Sequence, residues 1–289
     1  MKNKFSININ NSINIDNSIN SGQVFLWRKN KDYWYGVNGT DILKIDKNAK
    51  IESFQNEITD FFRETDDMQE IIKSISKDKI VKDAVKKFQG MRILRQDPFQ
   101  CLISFIISSN SNIPKIKFCI ENITKKFGKK VKWDGLEFHL FPKPQKLAKA
   151  SPADIKSCGV GYRDLFIIQA AKMVSSKEID FENLKKMNYN DAKEEICKIP
   201  GVGNKVADCV MLFSLDKLES VPLDRWIVKI LSKYYNNKFE IKTKTITPKQ
   251  YDVLHQKIIK YFGPYAGYSQ QFLFKSERDK NQRNWVLNP

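Results

Sequence analysis

Apolar positions follow two rhythms along this chain of 289 residues. Val24-Phe-Leu-Trp27 and Tyr33-Trp-Tyr-Gly-Val37 are aromatic and β-branched runs, separated by the polar stretch 28–32. Asn38-Gly39 divides the second run from Thr40-Asp-Ile-Leu-Lys-Ile45. Asn-Gly between two such runs is a strong hairpin signal, so residues 5–55 read as an antiparallel sheet. From about residue 56 the period lengthens to that of a helix. Helices are expected over 78–88, 99–108, 113–127, 151–156, 164–175, 189–198, 204–215, 224–235 and 247–262. Asp97-Pro98 marks one start, because proline fits a first helical turn. Gly128 is placed to stop another helix.

Charge changes the picture more than composition does. Apolar residues make up 41% of the chain, which is ordinary for a globular protein. Fifty Lys and Arg against 33 Asp and Glu leave a net charge of +17, a field that favours a polyanionic partner. The segment 115–132 holds seven Lys and one Glu, and reads either as a solvated helix face or as a phosphate-binding patch. No basic start precedes an apolar core near the N-terminus, and the longest apolar run, 101–107, is far too short to span a bilayer. The five cysteines are odd in number and lack any C-x-x-C pair. That spacing excludes a disulfide framework and an iron–sulfur cluster, and fits a reducing cytosol. His139 and His255 are too isolated for a metal site and read as structural or surface residues.

Candidate chemistry gathers in Cys197-Lys-Ile-Pro-Gly-Val-Gly-Asn-Lys-Val-Ala-Asp-Cys209. Gly201 and Gly203 allow close backbone approach between two helices. The free N–H groups of the second helix suit a phosphate, as they would also suit a plain tight turn. The Walker and dinucleotide glycine patterns are both absent. Lys205 falls in the first turn of the second helix. The positive end of the dipole, with partial burial, favours the neutral amine that a nucleophile needs, and the alternative is a lysine touching a phosphate. Cys209 lies one turn further on the same face. Asp224 precedes an apolar-periodic helix as its N-cap, where the dipole is expected to keep it ionised. There it could also face positive charge developing on a sugar.

These residues resemble the eukaryotic-type 8-oxoguanine DNA glycosylase/lyase of the helix-hairpin-helix superfamily. The resemblance includes Ser21-Gly-Gln23 with Trp27, Phe88-Gln-Gly-Met-Arg-Ile-Leu-Arg-Gln-Asp-Pro98 and Cys101-Leu-Ile-Ser-Phe-Ile-Ile-Ser-Ser-Asn110. It continues through Gly159-Val-Gly-Tyr-Arg163, the hairpin, Val221-Pro-Leu-Asp224 and Gly263-Pro-Tyr-Ala-Gly-Tyr-Ser-Gln270, in family order over roughly 20–275. It implies an α+β fold, with an N-terminal antiparallel β domain (1–77) packed on a helical core (78–289) and the active site between helical lobes. It implies a monomer acting on double-stranded DNA that contains 8-oxoguanine, with no membrane role, no required cofactor and no iron–sulfur cluster.

By resemblance, Lys205 is the nucleophile at C1′ and Asp224 the assisting carboxylate. The Gly22 carbonyl reads the N7 proton that guanine lacks, Gln270 reads the Watson–Crick edge, and Phe274 and Cys209 sandwich the base. Asn110, Lys115, Tyr162 and Arg163 contact the opposite base or its strand, as Gly201, Gly203 and Trp226 contact DNA. The carbonyls of Cys197, Ile199 and Val202 form a possible cation site. Two departures stand out. Lys115 replaces an arginine and cannot make the same two-pronged bond to a base, so cytosine selectivity does not carry over. Trp226 replaces a histidine. The absence of an added targeting tail suits a prokaryotic member acting in the cytoplasm or nucleoid; a eukaryotic one would act in the nucleus. The rival readings are a monofunctional glycosylase for other damaged bases, which would not need Lys205, and a non-catalytic helix-hairpin-helix DNA-binding protein.

Overall fold

A computed structural model describes residues 5–10, 12–55, 60–241 and 246–282. Strand β1 (Phe5–Asn8) is followed by a short helix, α1 (Ile15–Ile19), then β2 (Trp27–Asn30), β3 (Tyr33–Asn38), β4 (Asp41–Ile45) and β5 (Lys50–Ser53). The strands form one antiparallel sheet in the order β1-β5-β4-β3-β2. The expected sheet is therefore present, with two corrections. Asn14 caps α1 through Asn17 N, so the segment before β2 is helical. The strand expected over 24–27 instead begins at Trp27 and runs through the polar stretch, turning at Lys31. Val24 and Phe25 are apolar because they enter the core as irregular chain. Phe25 meets the ring of Phe105 edge-on at 5.9 Å. In the β3–β4 hairpin Asn38 pairs with Asp41, which leaves Gly39 and Thr40 as the turn, Gly39 at φ +61°.

The rest is mainly helical: α2 (Met68–Ile75), α3 (Lys79–Lys87), α4 (Pro98–Ser108) and α5 (Ile113–Phe127). A hairpin of β6 (Lys130–Trp133) and β7 (Leu136–His139) follows, then α6 (Pro144–Ala148) and α7 (Pro152–Ile155). Next come α8 (Asp164–Ser175), α9 (Phe181–Lys186), α10 (Tyr189–Cys197) and α11 (Asn204–Ser214). Last are α12 (Arg225–Tyr234), α13 (Asn236–Phe239), α14 (Pro248–Phe262) and α15 (Ala266–Gln282). Every helix expected from periodicity is present to within a few residues. Gly128 does end α5, though in an extended conformation: a Cβ there would meet the Leu140 carbonyl. The β6–β7 hairpin and the helices α2, α6, α9, α13 and α15 were not expected. Lys130 and Lys132 of the basic segment lie on β6 rather than on a helix.

Two helices form the centre. All of Phe99–Ile107 in α4 and Val206–Ser214 in α11 are buried, and the two pack against each other. The sheet is fastened to this centre by Gln100, which donates to Val37 O (2.9 Å) and accepts from Gly39 N (2.8 Å). Gln23 does similar work for the loop before β2. It is fully buried, its Nε2 2.8 Å from Arg92 O and its Oε1 accepting from Leu94 N at 2.8 Å. Helix α15 closes the other side, with Gln271 donating to Ser21 O (3.1 Å).

Candidate active site

The hairpin between α10 and α11 turns through Gly201 at φ +83°, where a Cβ would lie 2.4 Å from the Phe166 ring. Glycine is required there on both counts. Gly203 is the N-cap of α11 and brings no side chain to it, so the first N–H groups of α11 have no capping partner. Gly201 and Gly203 are both exposed on this face. The result is an open helix N-terminus, the geometry that holds an anion.

Lys205, half-buried in the first turn of α11, donates to Ser108 Oγ at 2.9 Å and lies 5.1 Å over the Phe105 ring. Ser108 in turn donates to Phe105 O at 2.7 Å, which aims its oxygen at the amine. Neither partner is acidic. Ser108 and Phe105 were missed as site residues. Both lie in the Cys101–Asn110 block, near the end of the helix that packs on α11, but nothing in that block singled them out.

Asp224 caps α12 by accepting from Ile227 N at 2.8 Å, as expected. Burial pushes its carboxyl above the usual range, and this outweighs the Lys205 charge and the N–H groups of Ile227 and Trp226. Burial likewise pushes the Cys209 thiol up to about 12, against the Lys205 charge. Lys205, Asp224, Trp226, Asn110, Gly201 and Gly203 line one cleft of about 930 Å³.

Of the expected base contacts, Gly22 and Phe274 come together beside this cleft. Gly22 stands at φ +89°, and a Cβ on it would come within 3.1 Å of the Phe274 ring and 2.5 Å of Arg278. The Trp226 ring meets Phe274 edge-on at 6.5 Å, and so links this cluster to the cleft. Gln270 Oε1 is buried and makes no hydrogen bond among the described residues, an acceptor in want of a donor. Arg278 also belongs here and was missed: its guanidinium lies 5.6 Å from the Phe274 ring centre and donates to Asn20 O. No periodicity marked it, because α15 itself was not expected.

Across the cleft, Asn110 is exposed at φ +52°. Arg163 donates to Ser109 O (3.1 Å) and Val160 O (2.9 Å) beside it, and stacks at 4.4 Å on Tyr162, which is 61% exposed. Lys115 is exposed at the start of α5, with its amine 4.9 Å from the Phe118 ring. Cys197, Ile199 and Val202 bracket the hairpin, and Ile199 O accepts from Val202 N at 3.0 Å. Among the described residues no three His, Cys, Asp or Glu side chains converge as metal ligands, and no helix is long and apolar enough to cross a membrane.

Residues 6–102 match the family model for the 8-oxoguanine DNA glycosylase N-terminal domain. Residues 103–256 match that of the HhH-GPD superfamily of base excision DNA repair proteins. The chain belongs to this family. It is 29% identical to the N-glycosylase/DNA lyase OGG1 of Arabidopsis thaliana, over 89% of this chain and 75% of that protein. The structure of MBOgg1, solved with a low-affinity DNA ligand, superposes with a TM-score of 0.85 at 31% identity, covering 97% of both chains. The Clostridium acetobutylicum 8-oxoguanine glycosylase/lyase, solved on double-stranded DNA with cytosine opposite 8-oxoguanine, gives 0.82 at 32% identity over 93% of both. A 3-methyladenine DNA glycosylase from Archaeoglobus fulgidus shares the fold at 19% identity, with a TM-score of 0.69.

Proposed function

We propose that this family member excises 8-oxoguanine from duplex DNA and then nicks the strand at the resulting site. The observation that carries the reading is the Lys205 amine, held by a hydroxyl in the same cleft as Asp224 and beside an open helix N-terminus. A monofunctional glycosylase needs the carboxylate without the amine, and a binding module needs neither.

The damaged nucleotide leaves the stack, because C1′ of a stacked base is out of reach. A phosphate of its strand seats on the N–H groups of Asn204 and its neighbours. The Lys205 nitrogen pair attacks C1′ as the bond to N9 breaks, the pair in that bond leaves with the base, and the base takes up the proton that the alkylated nitrogen sheds. Asp224, ionised, offsets the positive charge that gathers on the sugar. The ring oxygen then leaves C1′ and the Schiff base forms. Loss of the C2′ proton expels the 3′ phosphate by β-elimination. The Gly22 carbonyl accepts the N7 proton of 8-oxoguanine and would face only a second acceptor on guanine, which is a costly mismatch in a dry pocket. Gln270 reads the Watson–Crick edge, while Phe274 and Cys209 hold the ring faces. Asn110, Arg163 and Lys115 face the orphaned base, with Tyr162 beside them. The carbonyls of Cys197, Ile199 and Val202 would hold a cation next to the phosphate, adding charge without taking part in a bond change. The enzyme acts as a monomer, in the cytoplasm or nucleoid if prokaryotic and in the nucleus if eukaryotic.

Borohydride is expected to trap the wild-type protein covalently on duplex containing 8-oxoguanine, and to trap no Lys205→Gln protein. Full trapping of that variant would refute the assignment. Duplexes pairing 8-oxoguanine with each of the four bases measure the effect of Lys115.

A further inference from the structure

Asp208 belongs to the Val-Ala-Asp-Cys run of the hairpin helix, yet it does not reach the cleft: its exposure is 0%. Tyr189 of α10 donates to its Oδ1 at 2.6 Å, and Tyr251 of α14 to its Oδ2 at 2.5 Å. The Tyr251 oxygen accepts from Leu223 N at 3.1 Å. His255, one turn along α14, accepts from Val221 N through Nε2 at 3.2 Å, and the same nitrogen lies 3.0 Å from the Tyr189 hydroxyl. The Val221 N–H can only donate, so Nε2 is an acceptor and the ring carries its proton on Nδ1. Burial, with the Lys193 charge, holds the imidazole down at about 3, in agreement.

The segment 221–224 lies in no helix or strand. The backbone N–H groups of Val221 and Leu223 are taken by two side chains of α14, and that pair is anchored through Asp208 to the helix carrying Lys205. Asp224 is the next residue after Leu223. We propose that Asp208, Tyr189, Tyr251 and His255 form a positioning relay that fixes the Asp224 carboxylate relative to the Lys205 amine. This rests on the function proposed above. None of the four needs to touch the reacting atoms, so they are positioning residues.

The consequence is a split between two steps. Base release needs Asp224 in place, whereas nicking of a ready-made abasic site needs mainly Lys205. A displacement of about 1 Å in a reacting group costs on the order of a hundredfold in rate. Tyr251→Phe removes both the bond to Asp208 and the acceptor for Leu223 N. His255→Leu removes the acceptor for Val221 N, and His255→Gln can restore it.

The test compares single-turnover 8-oxoguanine release, nicking of abasic duplex and binding of lesion duplex in the full chain. Tyr251→Phe and His255→Leu are expected to slow base release at least tenfold, with nicking and affinity within about threefold of wild type, and His255→Gln to recover most of the rate. Base release within threefold of wild type in folded His255→Leu would overturn the relay. So would a parallel fall in all three readouts, or a His255→Gln protein no better than His255→Leu. If Tyr251→Phe fails to fold, the two His255 variants carry the comparison. A wild-type protein that releases no 8-oxoguanine would instead overturn the function itself, and the relay's role with it.

Discussion

Lys205 and Asp224 share a cleft, but their environments differ. The lysine rests on a hydroxyl and an aromatic face, and the aspartate on two backbone N–H groups in a buried niche. Because burial raises the Asp224 carboxyl, its working carboxylate form is lost sooner on acidification than that of an exposed aspartate. Base release is therefore expected to fall as pH is lowered through that raised value, and a single-turnover pH profile reads it. Asp224→Asn should flatten this limb and slow release while leaving lesion binding within a few-fold. Gly201 is the other residue with a sharp expectation. Gly201→Ala places a methyl against Phe166 and forces a positive φ on a residue with a Cβ. A loss of about 1 kcal/mol or more in urea unfolding is expected, together with weaker DNA binding.

At the scale of elements, an apolar face behind a cap made most of the longer helices legible, though α2, capped by Asp67 and burying Ile71 and Ile75, was passed over. Asp97 and Asp224 both cap as their positions suggested. The sequence misled where burial was not periodic. Val24 and Phe25 look like strand and are core-filling loop; α15 buries polar residues such as Gln271, Lys275 and Glu277, so no apolar stripe announced it. The candidate site divides along the same line. Residues in compact motifs could be read, while Ser108, Phe105 and Arg278 reach the site only because α4, α11 and α15 meet in space. The buried side chains of α11 and α14 also predict an acid response. His255 has its folded value lowered from 6.5 to about 3, so the unfolded chain takes a proton that the native chain refuses. That contribution to stability is lost as pH falls below 6.5. Asp208 is raised from 3.8 to about 6, which works in the opposite direction: the native chain holds a proton that the unfolded one releases. Removing the histidine leaves the Asp208 effect alone. The urea midpoint of His255→Gln is therefore expected to drop less between pH 7 and pH 5 than that of the wild type.

For the whole molecule, a net charge of +17 sets the terms of DNA binding. Affinity should fall linearly in log–log form with salt, by a slope of about −0.9 for each phosphate neutralised, and titration from 50 to 200 mM salt measures it. A shallow slope would show that the charge is spread away from the bound face.

The division of labour along the chain also has a consequence in time. On the ribosome, a chain that has emerged only as far as α14 already includes Lys205, Asp224 and the hairpin. It has no Gln270, no Phe274 and nothing to press against the loop at Gly22. On the reading proposed above, the base-choosing set is thus completed only after the pair that breaks the strand. A nascent or truncated chain ending before Ala266 carries Lys205 and Asp224 with Gly22 but without Gln270 and Phe274.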